Sequence, residues 1–246
     1  MKALVRNYLH GSQVYVVKEF DDTGVPISIK KSSSSKNGIH CLRNEIKGFS
    51  WYSSVNANNQ TDVLSVYDGK EYFKLSSKFI KGKRCSYLDG FSCNKEFLFI
   101  VVKNYCSLWI NSTSINNLFN VHGDFSIENI IFCDSKPVII DWEHFHEAIA
   151  PIGLDAMNLL FEQLWFDGPI KRAHFNVISD LVEIIIYLKK RGGLDSYFLD
   201  RPLSKTIFFI KDNQHIWGAQ LNKLPILKFT SDEVLKIDDM IMGLLD

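Results

Sequence analysis

The chain has 246 residues, 28 Lys plus Arg against 28 Asp plus Glu, and a 46% hydrophobic fraction. That length suits one large domain or two packed lobes, with enough apolar residues for a sizeable core. A formal net charge of zero lacks the basic excess of a nucleic-acid binder, so no nucleic-acid partner is expected.

The first dozen residues carry Lys2, Arg6, Asn7 and His10 and no continuous apolar stretch, unlike a signal peptide. Residues 3–9, 14–20 and 25–31 read as three strands. They are separated by His10-Gly11-Ser12 and by Asp21-Asp22-Thr23-Gly24, giving an antiparallel meander. Residues 32–38 read as a polar serine-rich connector, and 42–55 as a helix with Leu42, Ile46, Phe49 and Val55 facing inward. Residues 62–67 and 71–80 read as strands around an Asp68-Gly69 turn. Gly82 breaks the chain, and the texture changes there, so the expected units are 1–81 and 82–246.

Residues 96–110 and 114–119 read as helices. The most apolar run, 97–102, is far shorter than the roughly 18 residues a membrane span needs, so no membrane span is expected. Residues 121–140 read as loop, short strand, turn and short strand. From Pro151 helices dominate; 175–190 ends at Arg191-Gly192-Gly193, and Thr230 with Glu233 forms a capping box. The five cysteines, Cys41, Cys85, Cys93, Cys106 and Cys133, include no Cys-x-x-Cys pair. Reduced thiols in a cytoplasmic protein fit them better than disulfides or zinc. The order is therefore α+β: an antiparallel sheet with one inserted helix, followed by a mainly helical part.

The chemistry concentrates in Val121-His122-Gly123-Asp124-Phe125-Ser126-Ile127-Glu128-Asn129, followed by Ile140-Asp141-Trp142-Glu143. Phosphoryl transfer needs a carboxylate to orient and deprotonate an attacking hydroxyl, and hard oxygen ligands for Mg²⁺ on the phosphates. Asp124 and Asn129 have the spacing of a kinase catalytic loop, His-x-Asp-x-x-x-x-Asn. Asp124 is the candidate base and Asn129 a candidate metal ligand. A hairpin formed by 129–132 and 137–140 would return Asp141 beside Asn129 as the principal Mg²⁺ ligand.

These residues resemble the aminoglycoside phosphotransferase and choline kinase group. Protein kinases have Arg after the His and Asp-Phe-Gly where this chain has Asp141-Trp142-Glu143. They also have an Ala-Pro-Glu segment after a long activation loop, whereas only a short stretch separates Asp141 from Pro151 here. The resemblance implies a bilobal protein-kinase-like fold, ATP or GTP in a cleft, and a small-molecule hydroxyl as acceptor: a sugar, an aminosugar or an amino alcohol. It implies that Lys30, at the end of the third strand, touches the phosphates and is held by Glu45. Lys31 competes for that role, and strand alternation lets only one of the two face the cleft. By the same resemblance the backbone of Lys78, Phe79 and Ile80 meets the base, Ser12 lies in a short phosphate-covering turn without Gly-x-Gly-x-x-Gly, and His122 and Asp155 brace the catalytic loop. A nucleotide-binding pseudokinase scaffold and a protein kinase are the competing readings.

The acceptor side offers the aromatics Trp165, Phe166, Tyr187, Tyr197 and Trp217, and the acids Glu162, Asp167, Asp180 and Glu183, with Lys and Arg interspersed. His144 and His146 read as loop or cleft residues, without enough ligands nearby for zinc.

Overall fold

A computed structural model of the chain describes residues 3–7, 14–56, 63–84, 91–112, 114–166 and 175–245. The first part is a five-stranded antiparallel sheet of order β1-β2-β3-β5-β4, from β1 Ala3–Asn7, β2 Tyr15–Phe20, β3 Pro26–Ser33, β4 Val63–Asp68 and β5 Phe73–Lys78. The turn after β2 is closed by Asp21, whose Oδ1 accepts from the amides of Thr23 and Val25, both at 2.9 Å. An Asp side chain here mimics a backbone acceptor.

Helix α1, Lys36–Val55, lies between β3 and β4. It starts earlier than the apolar periodicity suggested. Ser35 takes the N-cap position, its Oγ accepting from Gly38 N at 3.0 Å, and so satisfies one of the orphan donors of the first turn. β3 itself runs to Ser33, which leaves little of the expected connector. The buried positions Leu42, Glu45, Phe49 and Tyr52 recur at helical spacing and face the sheet and the chain that follows.

The second part is mainly helical: α2 Phe91–Trp109, α3 Leu154–Phe166, α4 Phe175–Lys190, α5 Pro202–Asp212 and α6 Ser231–Leu245. α4 ends where Gly192, at φ +74°, lets Gly193 N bond Leu188 O at 2.9 Å. α6 starts with a reciprocal cap: Glu233 Oε2 accepts from Thr230 N at 2.9 Å, and Thr230 Oγ1 accepts from Glu233 N at 3.3 Å. Between α2 and α3 run β7 Phe119–Val121, β8 Ile130–Cys133, β9 Lys136–Ile139 and β10 His146–Ala150. β8 and β9 form the expected hairpin, with the two-residue strand β6, Lys83–Arg84, along β8; β7 pairs with β10.

One expected element is corrected. Residues 114–119 are not helical. Asn116 and Asn117 take φ of 53° and 62°, and Ile115 and Leu118 exchange backbone bonds of 3.0 and 2.9 Å across them. Asn tolerates the left-handed region, so the pair makes a tight reversal where apolar spacing alone suggested a helix. Among the described residues no helix is long and apolar enough to cross a membrane.

The two parts meet on an aromatic cluster centred on Trp142, which is fully buried. Its ring lies 5.5 Å from Trp51, 5.3 Å from Tyr52, 4.4 Å from His122 and 5.9 Å from Phe145. Gly48 on α1 makes this contact feasible, since a Cβ there would stand 2.4 Å from Trp142 Cβ. The helix carrying Glu45 is thereby docked on the segment carrying Asp141.

Candidate active site

The hairpin sets Asn129 and Asp141 by register. Ile130 opposes Ile139, and Ile140 N donates to Asn129 O at 3.0 Å, so Asp141 emerges next to Asn129. Asp141 has φ 65°, an uncommon conformation for a non-glycine residue. Asn129 is buried, and its Nδ2 donates to Asp124 O at 2.9 Å and Asp124 Oδ2 at 3.0 Å. Its amide oxygen is left as the remaining acceptor.

Behind Asp124 the loop is fixed by Asp155 from outside it and by its own His122. Asp155, at the start of α3, accepts from His122 N at 2.7 Å and Gly123 N at 3.2 Å. Burial pushes its carboxyl up to about 7, against those two amide bonds. The His122 ring is fully buried and meets Ile140 O through Nε2 at 2.9 Å, while its Nδ1 accepts from Asp124 N at 3.3 Å. Burial pulls His122 down to about 4, so the ring is neutral and serves as a brace. Gly123 stands at φ +80°, and a Cβ there would lie 2.2 Å from His144 O. No side chain fits between the Asp124 loop and His144.

The sheet supplies a lysine, and it is Lys31. Its Nζ donates to Glu45 Oε1 at 2.7 Å and to Asp141 Oδ1 at 2.6 Å. Lys30, the expected residue, is on the opposite face of β3. It pairs with Glu19, whose other oxygen accepts from Ser28 Oγ at 2.6 Å. β3 pairs Lys31 with Val16 and Leu75, and Leu75 is buried; the lysine that shares Leu75's face is the one turned inward. Burial alone would lower the Lys31 ammonium, but Asp141, Glu45 and Glu143 outweigh it and hold the charge firmly. Burial likewise opposes ionisation of Asp141, and Lys31 overcomes it, keeping Asp141 below its ordinary value. Glu45, nearly inaccessible, is pushed up to about 7 by burial despite its bond to Lys31. Asp124 is raised above the usual carboxylate range by burial, with His144 pulling the other way.

Of the remaining expected residues, Phe79 donates its amide to Ile27 O at 2.9 Å, so that N–H is committed to the sheet and is not offered to a base. The Phe79 ring carries Lys18 Nζ at 4.3 Å from its centroid. Lys78 closes β5 opposite Ser28, and Ile80 packs partly buried against the core. Ser12 and Asp167 lie outside the described residues. On the acceptor side most aromatics are packing: Trp165 stands edge-on to Phe229 at 5.1 Å, Tyr187 meets Phe99, Tyr197 meets Phe198, and Trp217 is buried. Asp180 and Glu183 both bind Lys95, each at 2.6 Å, and are not spare acids for a cationic acceptor.

The sequence placed His144 among loop or cleft residues without giving it a role, and the structure sets it against the Asp124 loop. Its backbone closes on Gly123, and its Nε2 lies 3.4 Å from Glu143 Oε1. A histidine three residues after Asp141 carries no local signal of this; only the positive φ of the preceding loop brings the two together.

No family model and no curated protein matches the sequence. Among solved structures the chain is similar to the bifunctional kinase-methyltransferase WbdD, at TM-score 0.48 and 12% identity over 87% of this chain and 51% of that one. It is also similar to WbdD with the kinase inhibitor LY294002 and to WbdD at 2.2 Å, each at TM-score 0.43 and 12% identity over 87% of this chain and 50% of that one. The chain spans about half the length of these structures. With TM-scores below 0.5, the likeness adds no weight to the residue geometry.

Proposed function

We propose that the chain is a Mg²⁺-dependent phosphotransferase of protein-kinase-like fold that moves the γ-phosphate of ATP or GTP to a hydroxyl of a small molecule. The observation that carries this reading is Lys31 Nζ bridging Glu45 on α1 and Asp141 after the hairpin, with Asp141 emerging next to Asn129, which holds Asp124. A bridging cation beside a buried base and oxygen ligands is what a loose, highly charged transition state needs.

In this reading residues 1–81 form the nucleotide lobe and 82–246 the catalytic and acceptor lobe. The pairing of β6 with β8 supports a boundary just before it. Asn129 fixes Asp124 through Oδ2, which leaves Oδ1 to accept the acceptor's proton. Burial raises Asp124 and improves it as a base. The acceptor oxygen then bonds to the γ-phosphorus as the bond to the bridging oxygen breaks, and the nucleoside diphosphate leaves. Lys31 orients the phosphates. The ionised Asp141 carboxylate and the Asn129 amide oxygen are hard donors suited to Mg²⁺, which takes one or two protein ligands and completes its shell with phosphate and water. Bound there, the ion would neutralise phosphate charge. Gly123 and Asp141-Trp142-Glu143, and the short path to Pro151, favour a sugar, aminosugar or amino alcohol over a protein acceptor. A cytoplasmic setting accords with the unpaired cysteines Cys41, Cys106 and Cys133.

The test is turnover of Mg·ATP and Mg·GTP with a panel of sugars, aminosugars and amino alcohols, beside Asp124→Ala. Acceptor-dependent diphosphate release should fall by about a thousandfold or more in the variant. Nucleotide binding without turnover on any acceptor would instead favour a scaffold.

A further inference from the structure

We propose that His144 is the phosphate-facing cation on the base side of the cleft, donating Nε2–H to the γ-phosphoryl group; this rests on the phosphotransferase reading above. Mg²⁺ held by Asn129 and Asp141 would offset phosphate charge on the metal side, but the Asp124 side brings no cation of its own. Asp124, Asp141 and Glu143 converge where a polyanionic nucleotide must dock. Lys31 is already divided between Glu45 and Asp141. The loop 121–133 contains Asp124 and Glu128 but no Lys or Arg; Arg84 meets it only at Glu128 O, 3.1 Å from its Nε, and Lys136 lies exposed near the hairpin turn. Charge neutralisation on that side needs another group.

His144 has the placement and the unspent capacity. Its backbone oxygen and Cβ would meet a Gly123 Cβ at 2.2 and 2.8 Å, so it sits directly against the loop that carries Asp124. Its side chain is 12% exposed, and its buried Nε2 is met only weakly, by Glu143 Oε1 at 3.4 Å, the long limit of a hydrogen bond. A buried donor so poorly met is costly unless a better acceptor arrives. The field around it favours the protonated ring. Burial works against the charge, but Glu143, Asp124 and Asp141 outweigh it. His122 and His146 oppose, yet both are themselves lowered by burial and so largely neutral. A donor held between carboxylates costs little to reorganise when a phosphoryl group enters.

The claim separates nucleoside triphosphate from diphosphate, so it can be tested without knowing the acceptor. Calorimetry with Mg²⁺ would compare the non-hydrolysable imido analogues of ATP and GTP with ADP and GDP. Replacing His144 by Ala should weaken the imido analogues about tenfold or more and leave the diphosphates within about twofold. His144→Gln, which keeps an N–H near the same point, should recover at least part of the loss, whereas His144→Leu, similar in size without a donor, should not. The Gln and Leu pair carries the comparison alone if the Ala variant is unstable. Equal losses for triphosphate and diphosphate, no loss, or a Gln variant no better than Leu would overturn the assignment. If the unmodified protein binds none of the four nucleotides, the phosphotransferase reading falls first and this one with it.

Discussion

Asp124 and Lys31 are brought to one cluster, through Asn129 and Asp141, by different routes. Asp124 is held by Asn129 five residues away and by a hairpin whose strands are joined by a two-residue turn. Lys31 meets Asp141 across 110 residues, and Glu45, its other partner, arrives on a helix docked through Gly48 and Trp142. The first arrangement is local and depends on backbone conformation at single residues. The second depends on which face of a strand points inward. The two should therefore fail differently: the loop through strain and lost bracing, the sheet through loss of one side chain's reach.

The largest effect is expected where the loop is tightest. Gly123→Ala places a Cβ 2.2 Å from His144 O at a φ of +80°. Neither partner is a flexible side-chain tip, so the loop or the His144 segment must move. We expect a loss of about 4 kcal/mol of stability in urea unfolding, from combined clash and left-handed strain. A loss below about 1 kcal/mol would mean that the loop is more compliant than its contacts imply.

Bracing by His122 should be visible as a pH dependence. Its folded value of about 4 lies below the ordinary 6.5. Below pH 6.5 the unfolded chain takes up a proton that the folded ring refuses until about pH 4. The stability contribution is thus fully present above 6.5 and lost as pH falls toward 4, by on the order of 3 kcal/mol. Asp155 and Glu45, both raised to about 7, run the other way: their folded forms keep a proton that the unfolded chain releases, so their contribution fades as pH rises toward 7. The wild-type profile is therefore flattened by cancellation. The informative quantity is the difference between wild type and His122→Gln, which should widen from pH 4 to 6.5 in urea unfolding. A difference that stays level across that window would remove the neutral-brace role.

The same contrast explains what was readable in the chain. The grouping of Asp124, Asn129 and Asp141 was legible because a short loop and a two-strand hairpin fix it within twenty residues of sequence, and the apolar strands Ile130–Cys133 and Lys136–Ile139 announce themselves. Asp155 was legible only through resemblance. Lys31 was not legible: Lys30 and Lys31 are adjacent, and which one turns inward is set by pairing with Val16 and Leu75 and by the side on which α1 packs. Nothing within β3 encodes that parity, and a one-residue slip reverses it. The Asn116-Asn117 reversal was hidden for a related reason, since apolar spacing over six residues does not distinguish a helix turn from a tight hairpin. His144 was legible as a loop or cleft residue, but its approach to Gly123 was not, because a glycine carries no side-chain signal of what packs on it.

The adjacent lysines give the sharpest way to test the sheet's half of the comparison. Lys31→Met removes the cation between Glu45 and Asp141 and leaves two carboxylates facing each other, one of them deeply buried. Lys30→Met removes a partly exposed partner of Glu19 on the other face, an exchange that contributes little at a surface. If parity governs, Lys31→Met should reduce nucleotide-dependent turnover about a hundredfold, while Lys30→Met stays within about threefold. Stability separates a phosphate role from a purely structural one. Loss of the Lys31 ammonium lets Glu45, already near 7, take a proton and relieve the repulsion, so the fold should lose less than the turnover does. Equal sensitivity of the two positions, or a larger loss at Lys30, would mean that nucleotide binding reads the outer face of β3 and that the Lys31 bridge is only a fastening between helix and hairpin.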